Sequence, residues 1–539
     1  MKKITWLALL ALFLGGCHKS EMPPVTTPIP EANRWWNDHV FYEVFVRSFY
    51  DSDGNGNGDL KGIIQKLDYL NDGNPNTDTD LGVTALWLMP IYPSPSYHGY
   101  DVLDYRSVNS QYGTLDDLNT LISEAHKRGM KIVLDFVPNH TSDQHPWFVN
   151  ASSAGSPKRN WYIWSGSNPG YSGPWGQTVW YEKNGSYYYA IFYSGMPDLN
   201  YNNDAVTAEI EDITKFWYNL KVDGFRMDAA QYLVEEGQAQ AATQSTKSWW
   251  RKYYTFQKNL DPGFMTVGEV WTSTDIAAPF ADQRLDYCFE FDLSYAILDA
   301  VGNGNVNRLR SQIDLVLKSY PSLQYGTFLT NHDQDRVFES LGLDVAKAKA
   351  AAGILMTLPG VPYLYYGEEV AMRGKKPDEF IRRPMQWTNG TNAGFTTGTP
   401  WVQMNSDYAT SNVQTLQADP NSLWNYYRRL IHIRTSSVPL LHGDYSAVSA
   451  STDKVYAFLR TKDGQGVLAL HNLQSTPASS VSFSLTQSSL AAGTYAVKDL
   501  LSGANLGNIA ITSAGGFSSF GPIASLDGYG TYVLLMTKQ

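Results

Sequence analysis

The sequence predicts an α/β chain: a (β/α)8 barrel with an irregular segment inserted after its third strand and an antiparallel β-sandwich at its C-terminal end. Three observations predict it. From residue 40 onward, short apolar β-rich runs alternate with stretches of helical period, the pattern of a parallel sheet built from βα units. Residues 141–200 break that rhythm, being rich in Trp, Tyr, Gly, Ser and Asn with little periodicity. After about residue 442 come short alternating strands with Gly/Ser/Thr turns, such as KVYAFLRT, GVLALHNL and GTYVLLMT, as in an antiparallel sandwich.

The barrel runs are, in order, VFYEVFVRSF (40–49), VTALWLMP (83–90), KIVLDFVPNH (131–140), GFRMDAA (224–230), FMTVGEVW (264–271), YCFEFDL (287–293), GTFLTNHD (326–333) and VPYLYYGEE (361–369). Eight such runs imply a closed TIM barrel, occupying residues 34–140 and 201–441, with the insertion at 141–200 and the sandwich at 442–539. Stretches such as LDDLNTLISEAHKRG (115–129), apolar at helical spacing and closed by glycine, supply the helices between them.

Ahead of the barrel, Lys2 and Lys3 precede the apolar run ITWLALLALFLGG, too short for a spanning helix and shaped like a secretory signal over residues 1–17. Its end, Leu14-Gly15-Gly16-Cys17, resembles the lipobox of bacterial lipoproteins. That resemblance implies diacylation of Cys17 and an exported chain anchored to the cell envelope by its lipid alone. Residues 18–33, Pro-rich and polar, read as the flexible tether. Only Cys288 remains, so no disulfide between cysteines of the mature chain is expected.

A length of 539 residues with 43% hydrophobic and 14% aromatic content supports a large core. The net charge of −11, without blocks of like charge, offers no basic face to neutralise phosphates, which excludes nucleic acid as the expected partner. An uncharged substrate fits better. The 16 Trp and 35 Tyr include rings of the kind on which sugar faces stack.

Polar residues gather at the C-terminal ends of the barrel runs: Asn139 and His140 on the third, Arg226 and Asp228 on the fourth, Glu269 on the fifth, His332 and Asp333 on the seventh. In such a barrel that face carries the active site. The blocks DFVPNH, GFRMDAA, GEVW and TNHD, in that order on those strands, resemble the four diagnostic blocks of the α-amylase family, glycoside hydrolase family thirteen. The likeness covers roughly residues 35–539, the insertion and the sandwich matching that family's domains B and C.

The resemblance implies a role for each residue. Asp228 matches the nucleophile that forms a glycosyl-enzyme intermediate, and Glu269 the general acid and base, whose pKa its neighbours should raise. Asp333 matches the third carboxylate, which grips sugar hydroxyls. Two carboxylates working through a covalent intermediate imply retention of anomeric configuration. Arg226, two residues before Asp228 and on the same side of its strand, is expected to hold the nucleophile ionised. His140 and His332 are expected to donate to the same sugar. In SYHGYDV (96–102), Tyr100 matches the stacking platform and His98 a hydroxyl partner, while Asp101 is expected to pair with an arginine, with Arg382 of IRRPMQW in that role and Arg383 as its neighbouring competitor.

MPDLN (196–200) mixes the methionine of the neopullulanase-like branch with the aspartate of the oligo-1,6-glucosidase-like branch, and so resembles an intermediate group of bacterial α-amylases. The residue after the nucleophile is Ala229, where the α-1,6-cleaving branch typically has valine. This favours α-1,4 bonds in starch, maltodextrins and maltooligosaccharides, although a steric difference of that scale is worth only about 1–3 kcal/mol and leaves room for side activity; acceptor sugars competing with water at the intermediate would give transglycosylation. The competing readings are an α-glucosidase, a trehalose- or sucrose-acting enzyme of the same family, and a glycan-binding lipoprotein without catalysis. A monomer is expected.

One further stretch, DSDGNGNGD (51–59), places Asp51, Asp53, Asn55, Asn57 (through its carbonyl) and Asp59 at alternate positions of a calcium loop. The twelfth position, where an EF-hand needs glutamate, is Gly62. A strand, a loop and the first barrel helix form the setting in which the amylase relatives carry a structural calcium ion, and that is the cofactor the resemblance implies. A metal-free Gly/Asn turn is the alternative.

Overall fold

The computed structural model describes residues 34–539. Cys17, the signal-like run and the tether lie outside the described residues. Eight parallel strands close a barrel in sequence order: β1 (Phe41–Val44), β2 (Ala85–Leu88), β3 (Lys131–Phe136), β4 (Gly224–Met227), β5 (Met265–Gly268), β6 (Tyr287–Phe289), β7 (Tyr325–Thr327) and β8 (Val361–Tyr365). The strands are shorter than the apolar runs that announce them. Most of the difference lies at the C-terminal ends, where the chain leaves the ladder and its side chains turn to chemistry. The first run changes type: after β1, Val46–Phe49 forms a helical turn, so a turn and not a strand leads into the acidic loop.

Side chains pointing into the barrel make a mostly aromatic core of Phe41, Trp87, Val133, Val267, Tyr287, Phe289 and Tyr363. Trp36, on the short helix Trp35–Asp38 before β1, plugs the N-terminal end, its indole donating to Gln324 Oε1 at 3.0 Å. The outer helices bury one face each. In Leu115–Lys127, Leu118, Leu121, Ile122 and Ala125 face inward, and Thr114 and Asp117 close a capping box at its start. Gly129, at φ +73, ends that turn in the left-handed region where a glycine costs least.

The insertion is less irregular than its composition suggests. It carries the helix Pro146–Ala151 and a three-stranded antiparallel sheet of Trp164–Ser165, Ser186–Tyr189 and Trp180–Lys183. Its two ends are tied together by bridges from His140 to Asp198 and from Tyr162 to Leu199, which seat it over the end of β3.

Beyond residue 443 a six-stranded antiparallel sheet, a three-stranded and a two-stranded sheet enclose a separate core that includes Leu459, Leu468, Phe483, Tyr495 and Leu534. Two fully buried arginines meet at the seam between this unit and the barrel, one from each side. Arg434, on helix Leu423–Thr435, donates to the carbonyls of Met356, Leu358 and Gly360 at 2.6–3.0 Å, and Arg460, from strand Val455–Lys462, reaches the carbonyl of Thr357 at 3.2 Å. All four carbonyls lie at the end of helix Val345–Thr357 and the start of β8. Among the described residues no helix is long and apolar enough to cross a membrane.

Candidate active site

Arg226 is the centre of the site. It sits on β4 in register with Asp135 of β3 and Val267 of β5 and is fully buried. Its Nη1 donates to Asp135 Oδ1 at 2.9 Å and to Asp228 Oδ1 at 2.6 Å, while Nη2 lies 3.1 Å from Glu269 Oε2. One guanidinium therefore gathers three carboxylates. Burial alone would weaken its hold on its proton, but Asp135 and Glu269 outweigh that and raise its pKa further.

The negative charge exceeds the positive. Burial pushes Asp135 up to about 6 against the pull of Arg226 and His332. It also pushes Asp228 up, with Glu269 and Asp135 adding to the shift and Arg226 opposing it. Asp135 and Asp228 titrate together, and each holds a proton more tightly than a free carboxylate does. Glu269 Oε2 also accepts from the Ala229 backbone N–H at 2.9 Å. Ala229 presents that N–H from a left-handed backbone conformation, φ +50, uncommon for a residue with a side chain.

A second network crosses the barrel to Asp333. His332, fully buried, places Nδ1 2.5 Å from Glu43 Oε1 and Nε2 3.1 Å from Asp333 Oδ2. Burial would push it down, but Asp333 and Glu43 together push it up to about 10, so it is an imidazolium at neutral pH. Asp333 Oδ1 meets Arg382 Nη2 at 2.7 Å. Although burial would raise its pKa, the two cations hold Asp333 well below the usual carboxylate range. The Tyr100 hydroxyl joins the two networks, 2.6 Å from His332 Nε2 and donating to Asp135 Oδ2 at 3.0 Å.

The other expected site residues fall as follows. Tyr100 is only 9% exposed, its ring stacked on His332 and His98. His98 accepts from the Tyr100 N–H through Nδ1 at 3.1 Å. His140 is buried beside Asn139, its edge-on neighbour is Phe192 at 5.2 Å, and burial lowers it to about 3, so it is neutral. Its Nε2 closes no well-aligned hydrogen bond, although the Tyr100 backbone lies near enough to oppose the burial shift. His332 differs: both nitrogens face protein groups, and a sugar hydroxyl reaching Nε2 would share it with Asp333.

The expected pairing of Asp101 with Arg382 is not formed. Asp101 Oδ1 accepts from the hydroxyls of Ser94 and Ser96, whereas Arg382 pairs with Asp333 and Asp378 and donates from Nε to the His332 carbonyl. Local serines reach Asp101 first, while Arg382 leaves a short helix aimed at the end of β7. Arg383, the competitor, turns away to Asn405. Sequence reasoning missed Asp135 and Glu43. Both lie inside apolar strand runs; Asp135 also opens the DFVPNH block, and for both a carboxylate on the inward side of a barrel strand has to be paired if it is buried.

In the acidic loop, oxygens of Asp51, Asp53 and Asp59 lie within 4.8 Å of one another. Asp51 accepts backbone N–H groups from Asp53, Gly54 and Gly56 and the hydroxyl of Thr396, while Asp59 caps the next helix through Gly62 N. The Asn57 side chain accepts from Arg47, and the Asn55 side chain accepts from the Asn57 N–H.

The alpha-amylase catalytic-domain model matches residues 43–443. "Alpha-amylase 3" of Dictyoglomus thermophilum is 40% identical over 446 residues, covering 81% of this chain and 85% of that protein. An oligo-1,6-glucosidase of Parageobacillus thermoglucosidasius is 32% identical over 528 residues, covering 82% and 91%. Among solved structures, the α-amylase from H. orenii superposes with a TM-score of 0.79 at 36% identity over 93% of this chain and 99% of that one. Trehalulose synthase MutB from Pseudomonas mesoacidophila MX-45 gives 0.78 at 29% identity over 93% and 99%.

Proposed function

The chain belongs to the α-amylase family of glycoside hydrolases, and on that premise we propose that it cleaves α-1,4-glucosidic bonds in starch, maltodextrins and maltooligosaccharides with retention of configuration. The observation that carries the mechanism is the guanidinium shared by Asp228 and Glu269. It keeps the two carboxylates close, whereas an inverting pair needs roughly 6.5–9.5 Å to admit a water. Arg226 occupies Asp228 Oδ1, so Oδ2 is the oxygen that attacks the anomeric carbon. Arg226 and the Ala229 N–H occupy Glu269 Oε2, so Oε1 carries the proton to the departing oxygen. The same Glu269 then takes a proton from the incoming water, which attacks the glycosyl-enzyme and frees Asp228. Asp333, pinned between two cations, stays ionised to accept sugar hydroxyls and to favour the positive ring of the transition state.

Support for the α-1,4 linkage is the small side chain of Ala229 beside the acid, together with the 40% identity to a protein named as an α-amylase. The test is a chromatographic time course on maltoheptaose beside isomaltose, sucrose and trehalose. Release of shorter maltooligosaccharides is the expected result. Consumption of the disaccharides with maltoheptaose untouched would favour the branch to which the oligo-1,6-glucosidases and trehalulose synthase belong.

We also propose that the 51–59 loop binds a structural calcium ion. Asp51, Asp53 and Asp59 bring three carboxylates together, which repel one another without a cation, and the Asn55 side chain and Asn57 carbonyl at alternate positions of the same loop would complete a hard oxygen donor set that suits calcium. Asp59 begins the first barrel helix and Asp51 is tied to Thr396, so the ion would pin the first βα loop to the barrel. Chelation is expected to lower the melting temperature by several degrees, with recovery on adding Ca2+, and to leave kcat below the transition unaltered. An unchanged melting temperature would remove the metal.

A further inference from the structure

The insertion holds out an aromatic ring that neither catalytic network uses. Trp175 is 59% exposed, at the tip of the loop joining Trp164–Ser165 to Trp180–Lys183. A single exposed ring is ordinary on a protein surface. This one, however, is held out by an ordered loop. Ser172 and Thr178 pair as a bridge, and Gly173 N–H donates to the Gln177 carbonyl at 2.8 Å. The Gln177 side chain accepts from Trp175 N–H at 2.9 Å and donates to the Ile191 carbonyl at 2.7 Å. Gly176 takes the left-handed turn at φ +80.

Behind the indole stands a rigid backing. Its ring stacks on Phe192 at 5.8 Å and meets Tyr232 edge-on at 5.7 Å, and Phe192 in turn abuts His140. Tyr232 places the platform relative to the reaction. It lies three residues past Ala229 and close enough to Glu269 that, after burial, the Glu269 charge is what raises its phenol pKa. Gln231 donates to the Tyr232 hydroxyl and to the carbonyl of Trp271, two residues beyond Glu269. Trp175 is therefore on the side of the acid, where the departing sugar leaves and an acceptor sugar enters.

We infer that Trp175 is a stacking platform for a glucosyl unit on the leaving-group side of the cleft, and so determines how strongly the enzyme prefers long chains and how often an acceptor sugar replaces water. This rests on the α-glucan reading above. An indole face presents apolar surface to the C–H face of a pyranose, and its fixed backing means little entropy is lost on binding.

The test compares wild type, Trp175→Ala and Trp175→Phe on maltoheptaose and on an aryl α-maltoside that has no sugar on the leaving side. For Trp175→Ala, the ratio of kcat/KM on maltoheptaose to that on the aryl glycoside is expected to fall about three- to tenfold, the range that one aromatic contact supports. The loss should appear mainly in KM, with fewer transfer products, and Trp175→Phe should recover most of the ratio. An unchanged ratio, or the same fall in Trp175→Phe as in Trp175→Ala, overturns the platform alone. A wild type inactive on both substrates overturns the α-glucan reading and the platform with it.

Discussion

Replacing Glu269 by Gln lowers kcat on maltoheptaose by about 10²- to 10⁴-fold, the span that a positioned general acid and base supplies. The amide keeps the size of the side chain and can still accept from Arg226 and the Ala229 N–H through one oxygen, so the fold and KM should change little. The loss then reports the missing proton. Glu269→Ala tests the second half of the reaction. With α-maltosyl fluoride, whose leaving group needs little protonation, the intermediate on Asp228 should form and then wait, because no base activates water. Azide needs no base, so it should restore turnover and give the α-azide, the product of two inversions. A β-azide, or no rescue while Glu269→Gln remains fully active, would sink the two-step reading.

Arg226→Ala should damage both stability and activity. Asp135 and Asp228 already have pKa values above their ordinary range with Arg226 in place, and removing the guanidinium that touches both raises them further. A group whose folded pKa is raised contributes stability below its unfolded pKa and loses it as pH rises through the folded value. The deficit of the variant relative to wild type is therefore expected to be small near pH 4 and to widen as pH rises through about 6, the value for Asp135. At pH 7, one unit above that value, the share from Asp135 is expected to reach about 1.4 kcal/mol, at about 1.36 kcal/mol per pH unit. Denaturant unfolding at several pH values measures it, and a deficit that does not vary with pH would show that packing and not charge is lost. Turnover should fall sharply as well, because Asp228 loses the cation that favours its ionised form and orients its carboxylate.

The sequence made some of this legible and hid the rest for physical reasons. Strand ends were visible because apolar runs stop abruptly in Asn139-His140, Asp228, Glu269 and His332-Asp333, and a barrel brings such ends to one rim. The depth of the site was not visible. Asp135 and Glu43 read as strand interior in KIVLDF and VFYEV, and only the closed barrel shows that a carboxylate on the inner face at that height meets Arg226 or His332. The Asp101–Arg382 pairing failed because partner choice depends on which neighbour is nearest, and Ser94 and Ser96 lie a few residues from Asp101. Trp175 hid in a segment whose composition concealed its order, since a tight loop held by one glutamine leaves no periodic trace.

The carbonyls held by Arg434 and Arg460 bear on how small this protein can be made. They belong to the hinge from the last long barrel helix into β8, the strand that closes the cylinder against β1. Neither arginine forms an ion pair among the described residues; each is bonded to backbone oxygen at a helix end whose partial negative charge it answers. A construction that stops at residue 443 would discard one of the two clasps on the seam of the barrel and expose the other. The C-terminal sheets, which contribute nothing to the catalytic cluster, serve as the fastening of the cylinder on which that cluster depends.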